Sequence, residues 1–109
     1  MLRKLRCAFN RGYHSAEIDK QQLEKMVEQG AKLIDVRSPQ EFQEGHLETA
    51  ILLPEYEIRE TVNQILPDKL QTIIVYCSTG HRGLKAQRTL QRLGYQKVYN
   101  LYNGLENYE

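Results

Sequence analysis

The chain has no tryptophan, two cysteines and three prolines in 109 residues, and each scarcity narrows what it can be. Cys7 and Cys77 do not make the disulfide framework of a small secreted domain. Both are expected to be reduced thiols in a reducing compartment. His14, His46 and His81 lie far apart, and no paired spacing of Cys or His suggests zinc. No window approaches the roughly 20 apolar residues that a membrane helix needs, so stable membrane insertion is not expected. Internal repeats and low-complexity tracts are also missing. The length suits one domain able to bury a core without staples.

Acidic residues are missing from Met1 to Ala16, which holds Arg3, Lys4, Arg6 and Arg11. With those four removed from the fifteen basic residues, eleven remain against fourteen acids, so the body from Glu17 on carries −3. Such a body is a poor nucleic-acid binder. The expected organisation is a basic N-terminal tail over residues 1–16 and a single domain over 17–109. The tail lacks the apolar core of a secretory signal, so the expected location is cytoplasmic, or mitochondrial if residues 1–16 act as a transit peptide.

What is present alternates between two periods. Asp19 followed three residues later by Gln22 marks a helix start; Leu23, Met26 and Val27 give its apolar stripe, and Gly30 its stop. Lys32 to Val36 reads as a buried strand. Ser38-Pro39-Gln40-Glu41 supplies a cap, a first-turn proline and a third-position glutamate, and so starts a short helix that Gly45 ends. A second apolar run, Ala50 to Leu53, closes at Pro54. Ile58, Val62, Ile65 and Leu66 fall on one helical face, stopped by Pro67. Thr72 to Tyr76 is the strongest strand. Ala86, Leu90 and Leu93 line one face of a helix from Leu84 to Leu93, and Val98 to Leu101 is the last strand before an Asn103-Gly104 turn. Short apolar strands alternating with helices predict an α/β domain with a mainly parallel sheet.

In such sheets, sites form beyond the carboxyl ends of the strands. Cys77 stands at one such end, in the stretch IIVYCSTGHRG. If a helix starts near Arg82 to Leu84, its first amide groups have no partner inside the helix and carry partial positive charge. A thiolate placed before them is stabilised and made nucleophilic at neutral pH. Gly80 allows a positive φ that lets successive amides converge. His81 adds a donor, and Arg82 a fixed charge. Taken singly, each residue has a plainer reading: Cys77 as a small buried hydrophobe, Gly80 as a turn, Ser78 and Thr79 as helix caps, His81 as a solvated loop residue, Arg82 as a surface charge. The combination Cys-x-x-Gly-x-Arg between a strand and a helix is more informative than any member.

Three stretches in order, LIDVRSPQEFQEGH, CSTGHR and LGYQKVYNLYNGLENY, resemble the single-domain rhodaneses from about Ile18 to the C-terminus. The resemblance implies a central, mainly parallel sheet of about five strands flanked by helices. It also implies sulfurtransferase chemistry that needs no metal or other cofactor. Cys77 takes a sulfane sulfur from a donor such as thiosulfate or a polysulfide, becomes a persulfide cradled by residues Ser78, Thr79, Gly80, His81 and Arg82, and passes the sulfur to a thiol or protein acceptor. Asp35 is then expected to brace the active loop or to cap the strand end, Arg37 to pair with an acid such as Glu41 or Glu44, and His46 to pack. The alternative is a persulfide carrier or regulatory binding module with little thiosulfate turnover. Related phosphatases use Cys, five residues, then Arg; here that position is Gly83 and the arginine comes one residue earlier, a ring suited to sulfur rather than phosphate. Two departures stand out: Glu48-Thr49 replaces a frequent Pro-Gly, and Gly83 replaces a frequent Ser or Ala.

Overall fold

The computed structural model describes residues 16–108. Cys7 and all of the basic tail except Ala16 lie outside the described residues. The elements in order are β1 (Glu17–Ile18), α1 (Lys20–Glu28), β2 (Lys32–Asp35), α2 (Pro39–Glu44), β3 (Ile51–Leu52), a 3-10 turn (Glu55–Glu57) running into α3 (Ile58–Ile65), β4 (Thr72–Tyr76), α4 (His81–Arg92), β5 (Lys97–Leu101) and a last 3-10 turn (Leu105–Asn107). The strands form one five-stranded sheet in the order β1-β5-β4-β2-β3, and every pairing is parallel. The expected α/β domain with a five-stranded parallel sheet is what the chain builds. β1, two residues long, carries no periodicity of its own and was not anticipated.

Local signals act as their chemistry dictates. Asp19 and Gln22 form a capping box at α1, and Ser38 and Glu41 form a second at α2, with Pro39 in its first turn. Thr49 takes φ 68°, the left-handed region that a glycine enters freely. A β-branched residue therefore bears the strain of this turn.

Central strand β4 divides the core by its period of two. Ile73, Val75 and Cys77 face one way, into a cluster with Ile58 and Val62 of α3 and Ala86 and Leu90 of α4. Ile74 and Tyr76 face the other, with Leu23 of α1, Leu33 and Leu101. Each fully buried side chain of this size is worth about 1.5–3 kcal/mol. Because both faces are covered, β4 reads as an unbroken apolar run. Parallel pairing brings the carboxyl ends of β2, β4 and β5 to one edge, with Asp35 opposite Tyr76.

Candidate active site

Cys77 follows the last residue of β4 and is 1% exposed, on the α4 side of the sheet. Its Sγ accepts the backbone N–H of Gly80 at 3.0 Å and of Gly83 at 3.2 Å. Helix α4 starts at His81, earlier than the pattern suggested, because Gly80 turns the chain at φ 104°. Among the described residues no side-chain oxygen caps α4. The sulfur takes an amide that the first helical turn leaves unpaired, so the positive end of the helix is aimed at the thiol.

The loop is held from behind by the turn after β5. Leu105 N–H donates to the Cys77 carbonyl at 2.7 Å, and Glu106 N–H to the Ser78 carbonyl at 3.0 Å. Gly104 sits so close that a Cβ there would lie 2.6 Å from the Cys77 carbonyl oxygen. With both carbonyls tied outward, the amides further along the loop are free to turn inward.

Among the other loop residues, Thr79 and His81 are exposed and meet each other, Oγ1 to Nδ1, at 3.2 Å. Arg82 does not stand free. Its guanidinium grips Glu41 with two bonds of 2.8 and 3.0 Å, and the Ser78 hydroxyl donates to the same carboxylate at 3.3 Å. The Arg82 hydrogen bond, with help from the Ser38 amide, holds the Glu41 carboxyl well below the usual carboxylate range. Glu41 in turn raises Arg82. The pair is partly exposed, so its strength is screened.

Arg37 therefore pairs with neither Glu41 nor Glu44. Its Nη2 meets Asp35 Oδ2 at 2.7 Å and its Nε meets Oδ1 at 3.0 Å, and Nη2 also donates to the Gly45 carbonyl. Two residues apart on extended chain, both side chains leave on the same side, and the capping box and Arg82 already occupy Glu41. Asp35, 0% exposed, also accepts from the Tyr76 hydroxyl at 2.8 Å, which in turn accepts from Leu47 N–H at 3.0 Å. Burial, then the Asp35 carboxylate, pushes the Tyr76 hydroxyl above the ordinary tyrosine range. Asp35 thus reaches no residue of the Cys77–Gly83 loop by its side chain; it anchors the residue before it. His46 stacks on Phe42 with ring centroids 3.7 Å apart.

Two residues of the site were missed by the sequence reading. Gly83 donates to the sulfur, yet it lies beyond the five residues expected to form the cradle. Asn100 of β5 is buried beside it and donates through Nδ2 to the Gly80 carbonyl at 3.3 Å. A Cβ on Gly83 would overlap Asn100 Oδ1 and lie 3.0 Å from its Cγ. The glycine is therefore the residue that lets Asn100 sit against the loop. The only signal in the sequence was the missing Ser or Ala at position 83.

A family model described as the rhodanese-like domain matches residues 19–109. Thiosulfate sulfurtransferase PspE of Escherichia coli (strain K12) is 39% identical over 67 residues, covering 62% of this chain and 64% of that protein. The chain thus spans a little less than two thirds of that relative. Thiosulfate sulfurtransferase GlpE of Pseudomonas syringae pv. syringae (strain B728a) is 32% identical over 89 residues, covering 82% of each chain. Among solved structures, a rhodanese with anions from E. coli superposes with a TM-score of 0.67 at 36% identity, over 72% of this chain and 91% of that one.

Proposed function

The chain belongs to the rhodanese-like domain family, and from that premise we propose that it is a sulfurtransferase that carries sulfane sulfur on Cys77. The observation that carries the reading is the pair of amides on Sγ, from Gly80 and Gly83. The thiolate attacks the outer sulfur of thiosulfate or of a polysulfide. The donor's S–S bond breaks, its electron pair leaves with sulfite or the shortened polysulfide, and a Cys77 persulfide anion remains. An acceptor thiolate then attacks the terminal sulfur, takes it as a new persulfide and returns Cys77 to the thiolate. In the thiolate the negative charge sits on Sγ, and amides already aimed at it need no reorganisation to stabilise it. The chemistry needs a reduced thiol, which supports a cytoplasmic setting; Cys77 is free.

A second reading has its own support. Glu41 already compensates Arg82, and Cys77 is closely buried. The compensated charge suits a persulfide carrier for a partner better than an enzyme that cycles a small dianion.

A Cys7→Ser parent, in which Cys77 is the single thiol, tests the proposal. After treatment with thiosulfate or polysulfide, intact mass should show one added sulfur that cyanide removes as thiocyanate, and Cys77→Ser in the same parent should gain none. Fast turnover with thiosulfate selects the enzyme, and sulfur uptake with slow turnover selects the carrier. No sulfur uptake from either donor by the reduced parent overturns both.

A further inference from the structure

A cleft of about 710 Å³ runs beside the Cys77 loop, between α4 and the segment that leads into α3. His81, Lys85, Arg88 and Arg92 line one wall at intervals of four, three and four residues, so they share one face of α4. At 1.5 Å per residue the stripe is about 16 Å long. Tyr56, 65% exposed, and Arg59 line the opposite side. Four of the eleven basic residues after position 16 thus gather in one cleft of a body that is net acidic. Its near end is His81, which also belongs to the loop around the sulfur.

We infer that this cleft docks an acidic segment of a protein that exchanges sulfur with Cys77. The inference rests on the sulfur-carrying reading above and names the kind of partner. Thiosulfate is far too small to use a wall of this length. A strand-like segment rises about 3.3 Å per residue, so five residues span the stripe and can bring a cysteine to the loop at the His81 end. Arginine and tyrosine are among the side chains that most often anchor protein interfaces. The charge pattern favours protein over nucleic acid. Glu55 lies in the cleft, 3.5 Å from Lys85, and Glu57 and Glu60 are exposed on the same segment as Tyr56 and Arg59. A uniform phosphate chain would meet those acids, whereas a protein segment can place its carboxylates beside Arg59 and Arg88.

The probes are three synthetic peptides, each with one cysteine followed by five residues that are acidic, neutral or basic. Each is offered to the full chain carrying persulfide on Cys77, and sulfur transfer is followed by mass. The acidic peptide should react about tenfold faster than the neutral one at low salt, with the advantage fading as salt screens it. In Arg59→Glu/Arg88→Glu the acidic-to-neutral ratio should fall to about one or below. Equal rates for acidic and neutral peptides, or a ratio unchanged in the variant, overturn the inference. So does tighter binding of a single-stranded oligonucleotide of matched charge through the same two arginines. Fluorescence anisotropy of the acidic peptide on the unreacted protein reads the cleft without any sulfur chemistry. A protein that binds the peptide yet takes up no sulfur would sink the sulfur-carrying reading and leave the cleft standing.

Discussion

Adding one methyl group at position 83 is the sharpest test of how the sulfur is held. Gly83→Ala drives a Cβ into Asn100, whose side chain is 0% exposed and tied to the Gly80 carbonyl and to Glu17, both at 3.3 Å. Overpacking of this kind costs about 1–3 kcal/mol. Alanine gains about 1 kcal/mol over glycine inside a helix, which offsets part of that. A net loss of about 1 kcal/mol follows, or roughly 4–8 °C in Tm for a domain of this size. The strain must be relieved either by Asn100 or by the first turn of α4, and a shift of that turn draws the Gly83 amide away from Sγ. Cys77 alkylation by iodoacetamide should therefore slow in the variant at fixed pH. A cycle in urea separates the causes. Asn100→Ala alone loses its hydrogen bonds, but Gly83→Ala in that background should cost at least about 1 kcal/mol less than in the parent, because the overlapping atoms are gone. Costs that add to within about 0.5 kcal/mol would refute the packing argument.

Other consequences follow from the same geometry. Glu41→Gln keeps the capping box but frees the charge of Arg82. A unit charge near contact is worth about 1 kcal/mol in a water-like medium, so with side chains 41% and 32% exposed a dianionic donor should gain roughly five- to thirtyfold in kcat/KM. A neutral polysulfide donor should change little, and equal changes for both donors would count against the idea. The Glu41 carboxyl is held below its usual range, so the ion pair is intact above the ordinary glutamate pKa and is lost only as pH falls through the lowered value. The ratio between Gln variant and parent should accordingly stay flat from about pH 5 to 8, and a slope inside that window would show that Glu41 titrates there. Thr49→Gly should raise stability by about 0.5–1 kcal/mol, since relief of left-handed strain exceeds the entropy cost of glycine. An unchanged or lower Tm would show that the turn carries no such strain.

Much of the architecture could be read in one dimension because its causes are local. Capping boxes are closed by residues three apart, proline stops follow from a ring and a missing N–H, and β4 is marked by four successive buried residues that alternate between both faces. The Cys77 loop was legible for the same reason: strand end, glycine and helix start are neighbours in the chain. Partners were not. Glu41 and Arg82 are 41 residues apart, and which arginine takes that carboxylate is decided by where the sheet sets α2 against the loop. Asn100 reaches the loop because β5 pairs beside β4, and Gly83 makes sense only once Asn100 is there. Strand β1 exists because β5 offers an unpaired edge to residues with no pattern of their own. Nucleophile and scaffold were thus written in short-range chemistry. The charge that an incoming donor meets, and the fit that turns two amides onto one sulfur, arise only when distant segments share a space that packing defines.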